Sequence, residues 1–205
     1  MNVLLINGST HAKGSTYTAL KEVADTLENE GISTEIIQIG NHPLRGCIAC
    51  GYCRKNGSCV CDDIVNEVSE KFKTADGLIV GSPVYYASPN GTLLSFLDRL
   101  FFSSGFDKTM KVGASVAAAR RGGTTATFDV LNKYFTISGM PVVSSQYWNQ
   151  IHGNNAEEAA KDAEGLQTMR TLGRNMAFLM KSIALGKETF GLPEEEPKVA
   201  TNFIR

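Results

Sequence analysis

A doubly wound α/β domain with a mostly parallel, five-stranded sheet is the fold class this sequence predicts, and three observations carry the prediction. Short aliphatic, β-branched runs alternate along the chain with segments whose apolar residues recur every three or four positions, the signature of strands and amphipathic helices in turn. The strand-like runs are continuously apolar, as expected where helices cover both faces of a parallel sheet. With 205 residues, 42% apolar and 20% charged, the chain can bury one sizeable core, and it shows no internal repeat, low-complexity tract or second domain.

The first strand is "NVLLIN" (2–7), ended by Gly8. From Ser15 to about Glu30, Leu20, Val23, Ala24 and Leu27 recur at helical spacing, and Gly31 stops the helix. "TEIIQI" (34–39) is the second strand. A segment holding all five cysteines follows. Asp62 and Asp63 then stand where acidic residues favour a helix N-terminus, ahead of an apolar face of Ile64, Val65, Val68 and Phe72. "GLIVGS" (77–82) is the third strand. The next helix is expected to have Ser88 as N-cap and Pro89 as first residue, and to run to about Ser104. Its apolar residues at 93, 94, 96, 97, 100, 101 and 102 cover more than one face, which implies a contact between copies of the chain. "KVGASVAAA" (111–119) is a strand of small residues, followed by a helix within 122–139. "MPVVSSQYW" (140–148) is the fifth strand. A long helix from Ala156 to about Leu185 aligns Leu166, Met169, Leu172, Met176, Leu179 and Ile183 on one stripe. Residues 1–185 thus read as one domain with a cysteine-rich insertion at 46–61, and 186–205 as a tail or arm.

Net charge is −1 with no basic stripe, which excludes nucleic acid as the main partner, since neutralising phosphates takes clustered Lys and Arg. The N-terminus is apolar for only four consecutive residues before Asn7-Gly8, too few for a signal peptide or a membrane span. A cytoplasmic location with reduced thiols is the resulting expectation.

Doubly wound sheets bind ligands beyond the C-terminal strand ends, so three loops matter. "NGSTHAKGST" (7–16) combines a tight turn at Gly8, the hydroxyls of Ser9, Thr10, Ser15 and Thr16, and the free N–H groups of the following helix, a cradle for a phosphate monoester. His11 and Lys13 can add positive charge. It is not a nucleotide P-loop: five residues separate Gly8 from Gly14, and Ser15 stands where the lysine should follow. After the third strand, "GSPVYYASPNG" (81–91) turns rigidly at Pro83 and brings Tyr85 and Tyr86 to the crevice mouth, where backbone groups can read the edge of a planar heterocycle and rings can cover its face. After the fourth, "AAARRGG" (117–123) offers close backbone approach at Gly122 and Gly123 and positive charge at Arg120 and Arg121.

Together "NGSTHAKGST", "GSPVYYASPNGTLLSFLDR" and "ARRGG" resemble the corresponding loops of the NADPH-dependent FMN reductase family, and "YWNQIHG" (147–153) is similar to a segment of its iron–sulfur flavoprotein branch. The resemblance spans residues 2 to about 153. It implies a flavodoxin-like three-layer α/β/α sandwich binding FMN non-covalently. Ser9, His11, Lys13, Gly14, Ser15 and Thr16 would surround the phosphate. Pro83, Val84, Tyr85 and Tyr86 would border the isoalloxazine, and Ala119, Arg120, Gly122 and Gly123 its pyrimidine side. It further implies a homodimer or homotetramer, and transfer of electrons from NAD(P)H as co-substrate through FMN to a small acceptor such as a quinone, flavin, azo or nitro compound. FMN carries that chemistry, so no side chain is nominated as catalytic. The second reading is an electron-transfer flavoprotein fed by ferredoxin.

The cysteines follow the spacing Cys47-x2-Cys50-x2-Cys53-x5-Cys59-x-Cys61. Three thiols at successive x2 intervals among glycines can wrap a [4Fe–4S] cluster. The resemblance names Cys47, Cys50, Cys53 and Cys59 as its ligands and leaves Cys61 surplus. Free, redox-labile thiols in a lid over the flavin, or a zinc site, also fit the spacing.

Overall fold

The computed structural model describes residues 1–197 and 199–203. Five parallel strands form the sheet: β1 (Asn2–Asn7), β2 (Ser33–Gln38), β3 (Gly77–Tyr85), β5 (Val112–Ala119) and β6 (Gln150–His152). A two-residue strand, β4 (Ser88–Pro89), pairs antiparallel with the tip of β3. The order β2-β1-β3-β5-β6 reads 2-1-3-4-5 when only the parallel strands are numbered, the expected flavodoxin-like winding, with its switch point between β1 and β3.

Strand residues alternate between two cores. Val3, Leu5, Ile79, Ala114 and Val116 face α1 (Ser15–Asn29) and α7 (Ala163–Phe190), meeting Leu20, Val23, Leu27, Met169, Leu172 and Met176. Leu4, Ile6, Leu78 and Val80 face α3 (Ile64–Thr74), α4 (Gly91–Ser103) and α5 (Thr124–Thr136), meeting Val68, Phe72, Phe96, Leu100 and Phe135. With both faces covered, β1 and β3 need uninterrupted apolar sequence, which is why they were legible. A short helix, α2 (Tyr52–Asn56), lies within the cysteine segment, and α6 (Ala156–Ala159) precedes α7.

Several boundaries differ from expectation. The fifth parallel strand is not 140–148: that stretch touches the sheet only through a bridge from Val142 to Gly113, and the ladder resumes at Gln150–His152. The segment is paired at Pro141 and Val143, which flank that bridge, and meets β5 again only where the Asn149 carbonyl accepts the Ala117 N–H. The helix expected to start at Ala156 is split, because the Asp162 carboxylate caps α7 through the Gly165 N–H and breaks the path from α6. α7 then continues to Phe190 instead of ending near Leu185. α4 starts at Gly91, capped by Asn90 and not by Ser88, which belongs with Pro89 to β4. In the tail, Lys198, Ile204 and Arg205 lie outside the described residues. No helix among the described residues is long and apolar enough to cross a membrane.

Candidate functional site

The β1–α1 loop is built from the strand end outward. Asn7, fully buried, accepts the Ser9 N–H and donates to Gln38 Oε1 and the Ala12 carbonyl, while Gln38 donates to the Ser9 carbonyl. Ser9 Oγ accepts the His11 N–H. Gly8 is pressed against its neighbours: a Cβ there would lie 2.5 Å from Leu93 Cδ2 and 2.8 Å from the Gly81 carbonyl. The loop then delivers the start of α1, whose N-cap is Gly14, without a side-chain cap and without an acidic residue in the first turn. The first amides of a helix lack intrahelical acceptors and carry the positive end of its dipole. This end, flanked by Lys13 and His11, is therefore arranged for an anion.

The neighbouring loops close a cleft of about 630 Å³ around that end, a volume that suits a cofactor of mononucleotide size. Of the expected residues it brings together Ser9, His11, Lys13, Gly14, Ser15, Thr16, Pro83, Val84, Tyr85, Ala119 and Arg120. Thr10 Oγ1 and the Tyr85 hydroxyl approach to 3.4 Å, linking the first two loops. Tyr86, Gly122 and Gly123 do not line it. Tyr86 projects fully into solvent from a two-residue turn in which both Tyr86 (φ 50) and Ala87 (φ 57) are left-handed. Gly123 supports that turn from beneath: at φ 92, a Cβ on it would meet Val84 Cγ1 at 2.8 Å and Ala87 Cα at 2.9 Å.

Sequence reasoning missed the fourth wall, Gly153 to Glu157. Ser15 Oγ donates to the Gly153 carbonyl, fastening this wall to α1. The signal is in the sequence, since these residues directly follow a parallel strand, but the apolar run at 140–148 points to a strand end several residues too early. His152, next to the wall, places Nε2 3.2 Å from the Arg121 carbonyl and receives its backbone order from Asp162, which accepts its N–H. The donor set of this cleft fits a flavin phosphate at α1.

The cysteines form a second site. Cys47, Cys50, Cys53, Cys59 and Cys61 all line one narrow, mostly apolar cavity against α4, with Arg99, Phe102 and Ser103. The backbone turns left-handed at Ala49, Gly51 and Gly57 to bring them there. Arg99 donates from Nε and Nη2 to Cys59 Sγ, both at 3.3 Å, and grips the Asp63 carboxylate at 2.8 and 2.9 Å. Burial alone would lower the guanidinium pKa, but the bonds to Asp63 and Cys59 hold it further above its usual range. Among the described residues, no three His, Cys, Asp or Glu side chains converge as a single ion needs. A zinc centre is thus poorly matched, because its ligands crowd one point at about 2.3 Å. A cubane takes one thiolate per iron and needs its ligands set apart, so the all-sulfur donor set and the apolar lining fit a cluster.

Residues 1–155 match the NADPH-dependent FMN reductase family. An iron–sulfur flavoprotein of Methanocaldococcus jannaschii is 35% identical over 191 residues, covering 89% of this chain and 99% of that protein. An iron–sulfur flavoprotein of Methanosarcina thermophila is 31% identical over 193 residues, covering 92% and 100%. Among solved structures, a flavodoxin from the domain Archaea superposes with a TM-score of 0.62 at 16% identity, covering 88% of this chain and 99% of that one, a likeness of fold.

Proposed function

The chain belongs to the NADPH-dependent FMN reductase family and is a flavin-binding oxidoreductase, and from that premise we propose that it is an FMN and [4Fe–4S] electron-transfer flavoprotein fed by a ferredoxin. One observation carries the reading: the chain holds a cavity against α4 that gathers all five thiols, apart from the anion-binding cleft at the sheet's switch point. The full-length similarity to proteins named iron–sulfur flavoproteins supports it over the simple reductase.

In this reading Ser9, Lys13, Gly14, Ser15 and Thr16 hold the FMN phosphate, Pro83, Val84 and Tyr85 border the ring, and Ala119 and Arg120 its pyrimidine edge. Cys47, Cys50, Cys53 and Cys59 hold the cluster. Bound FMN would supply a store for two electrons received one at a time, and a cluster would supply the single-electron transfer from the donor. The chain's own work is positional. The Asn7–Gln38–Ser9 network fixes the phosphate loop before the ligand arrives, and Arg120 places positive charge where the reduced ring becomes anionic. No side chain is required as acid or base. A homodimer or homotetramer is part of the same proposal: Phe102 on α4 is 57% exposed beside Ile48 and Val60, an apolar rim that a second copy would cover.

The nicotinamide-dependent reductase is the second reading. It is favoured by the net charge of −1, which gives little long-range steering toward a protein partner. Anaerobic rapid mixing separates the two. Reduced ferredoxin is expected to bleach the flavin band at least about tenfold faster than NADH or NADPH at equal concentration. Fast bleaching by a nicotinamide and none by ferredoxin would return the chain to the reductase reading.

A further inference from the structure

Two polar side chains of α4 lie where an amphipathic helix ordinarily buries only apolar ones. Arg99 is 2% exposed and Ser103 3% exposed. They stand four residues apart, so both project from one face, one turn from each other. That face borders the cavity lined by the cysteines.

Their hydrogen bonding differs. Arg99 is fully engaged, with Asp63 on one side of its guanidinium and Cys59 Sγ on the other. Asp63 is itself fixed as the cap of α3, accepting the Val65 N–H, so the fork cannot swing away. Ser103 Oγ is buried with no partner at all. An unpaired buried hydroxyl is costly, and such groups are retained where something else accepts the proton. The side chains that border this cavity around Ser103 offer thiol sulfur and apolar carbon, with Arg99 as a donor.

We propose that Arg99 and Ser103 are a matched pair of hydrogen-bond donors to the sulfur of a cluster held by the cysteine segment, and that they raise its reduction potential. Arg99 acts on the Cys59 ligand sulfur, and Ser103 on a second sulfur in the same cavity. This rests on the iron–sulfur reading above. Reduction adds negative charge to the cluster, and N–H or O–H dipoles aimed at its sulfur stabilise the more negative state preferentially. Arg99 and Ser103 are themselves buried, so on their side of the cavity that preference is weakly screened. Because Asp63 balances the guanidinium charge, Arg99 acts mainly through its directed N–H bonds and less through net charge.

Native protein, Ser103→Ala, Ser103→Thr and Arg99→Lys are purified without oxygen, assayed for iron and sulfide, and titrated potentiometrically with the reduced cluster followed by EPR. S103A is expected to keep its iron but show a lower cluster midpoint potential. S103T, which retains a hydroxyl, is expected to keep the native potential. R99K, which keeps the charge but loses the fork, is expected to fall as S103A does. If R99K does not fold, the serine pair decides. An unchanged midpoint in iron-replete S103A overturns the inference and leaves the cluster reading standing. Loss of iron from folded S103A overturns it too, showing a role in assembly. A native protein without iron overturns the cluster reading and this inference with it.

Discussion

Asn90 ties the site's loops together without lining the cleft. It is 4% exposed; its Nδ2 donates to the Gly8 carbonyl at 2.9 Å, its Oδ1 accepts the Thr92 N–H as the cap of α4, and its own N–H donates to Ser82 Oγ. One side chain thereby ties the β1 loop to the β3 loop and starts the helix that carries Arg99. Asn90→Ala leaves the Gly8 carbonyl unpaired and uncaps α4, so a loss of about 2–3 kcal/mol is expected. Urea unfolding of the flavin-free protein measures it, and flavin fluorescence should show weaker FMN binding. Tyr134 gives a pH-dependent case. Burial, then its hydrogen bond to Asp98, raises its pKa above the ordinary 10.0. A tyrosine kept protonated in the fold contributes stability that is complete below pH 10 and is lost as pH rises beyond it. Tyr134→Phe should therefore cost about 1 kcal/mol at neutral pH and show a shallower loss than the native protein above about pH 10, read from denaturant midpoints. Residues such as Ser15 and Lys13 were legible because they directly follow a well-marked strand. Asn90 was not, because Ser88-Pro89 is an equally good helix start on local chemistry, and only the pairing of those two residues with Val84 and Tyr85 decides between them.

At the scale of elements, the β3–β4 hairpin is the unusual feature. A two-residue turn with both central residues left-handed is ordinarily made by Asn-Gly, yet Tyr86 and Ala87 occupy it. Left-handed backbone disfavours L side chains by roughly 1–2 kcal/mol each. Replacing the pair by Asn-Gly should raise stability by about 1–2 kcal/mol, measured as a higher urea midpoint. Strain at such a position is retained where the side chain has work outside the fold, and the same variant should be reduced more slowly by its electron donor. The broken fifth strand shows the converse limit of sequence reading. Residues 140–148 carry the apolar run, yet the ladder forms at 150–152, where Ala117, Ala118 and Ala119 of β5 find partners. The three residues of β6 bury only Ile151, too short a run for its alternation to mark it in the sequence. That misplacement hid the Gly153–Glu157 wall.

At the scale of the molecule, the sheet divides the protein into two cores, and both proposed sites depend on the side that holds α4. The β1 loop rests on Leu93, and the cysteine cavity rests on Arg99 and Ser103 of the same helix. Alternating strands and helices made this architecture legible from sequence, whereas the floor of the cysteine cavity was not, since Arg99 and Ser103 lie some forty residues after the thiols they meet. Ligand binding to the folded state alone should stabilise the whole domain, by about 2.7 kcal/mol at FMN a hundredfold above its dissociation constant. The most direct test of the central claim is the composition of protein purified without oxygen: its absorption spectrum, flavin, iron and acid-labile sulfide on one sample. The protein is expected to carry one FMN and about four irons with matching sulfide per chain. Flavin without iron would make residues 46–61 a thiol-bearing lid, and absence of flavin together with failure to bind added FMN would contradict the account at its root.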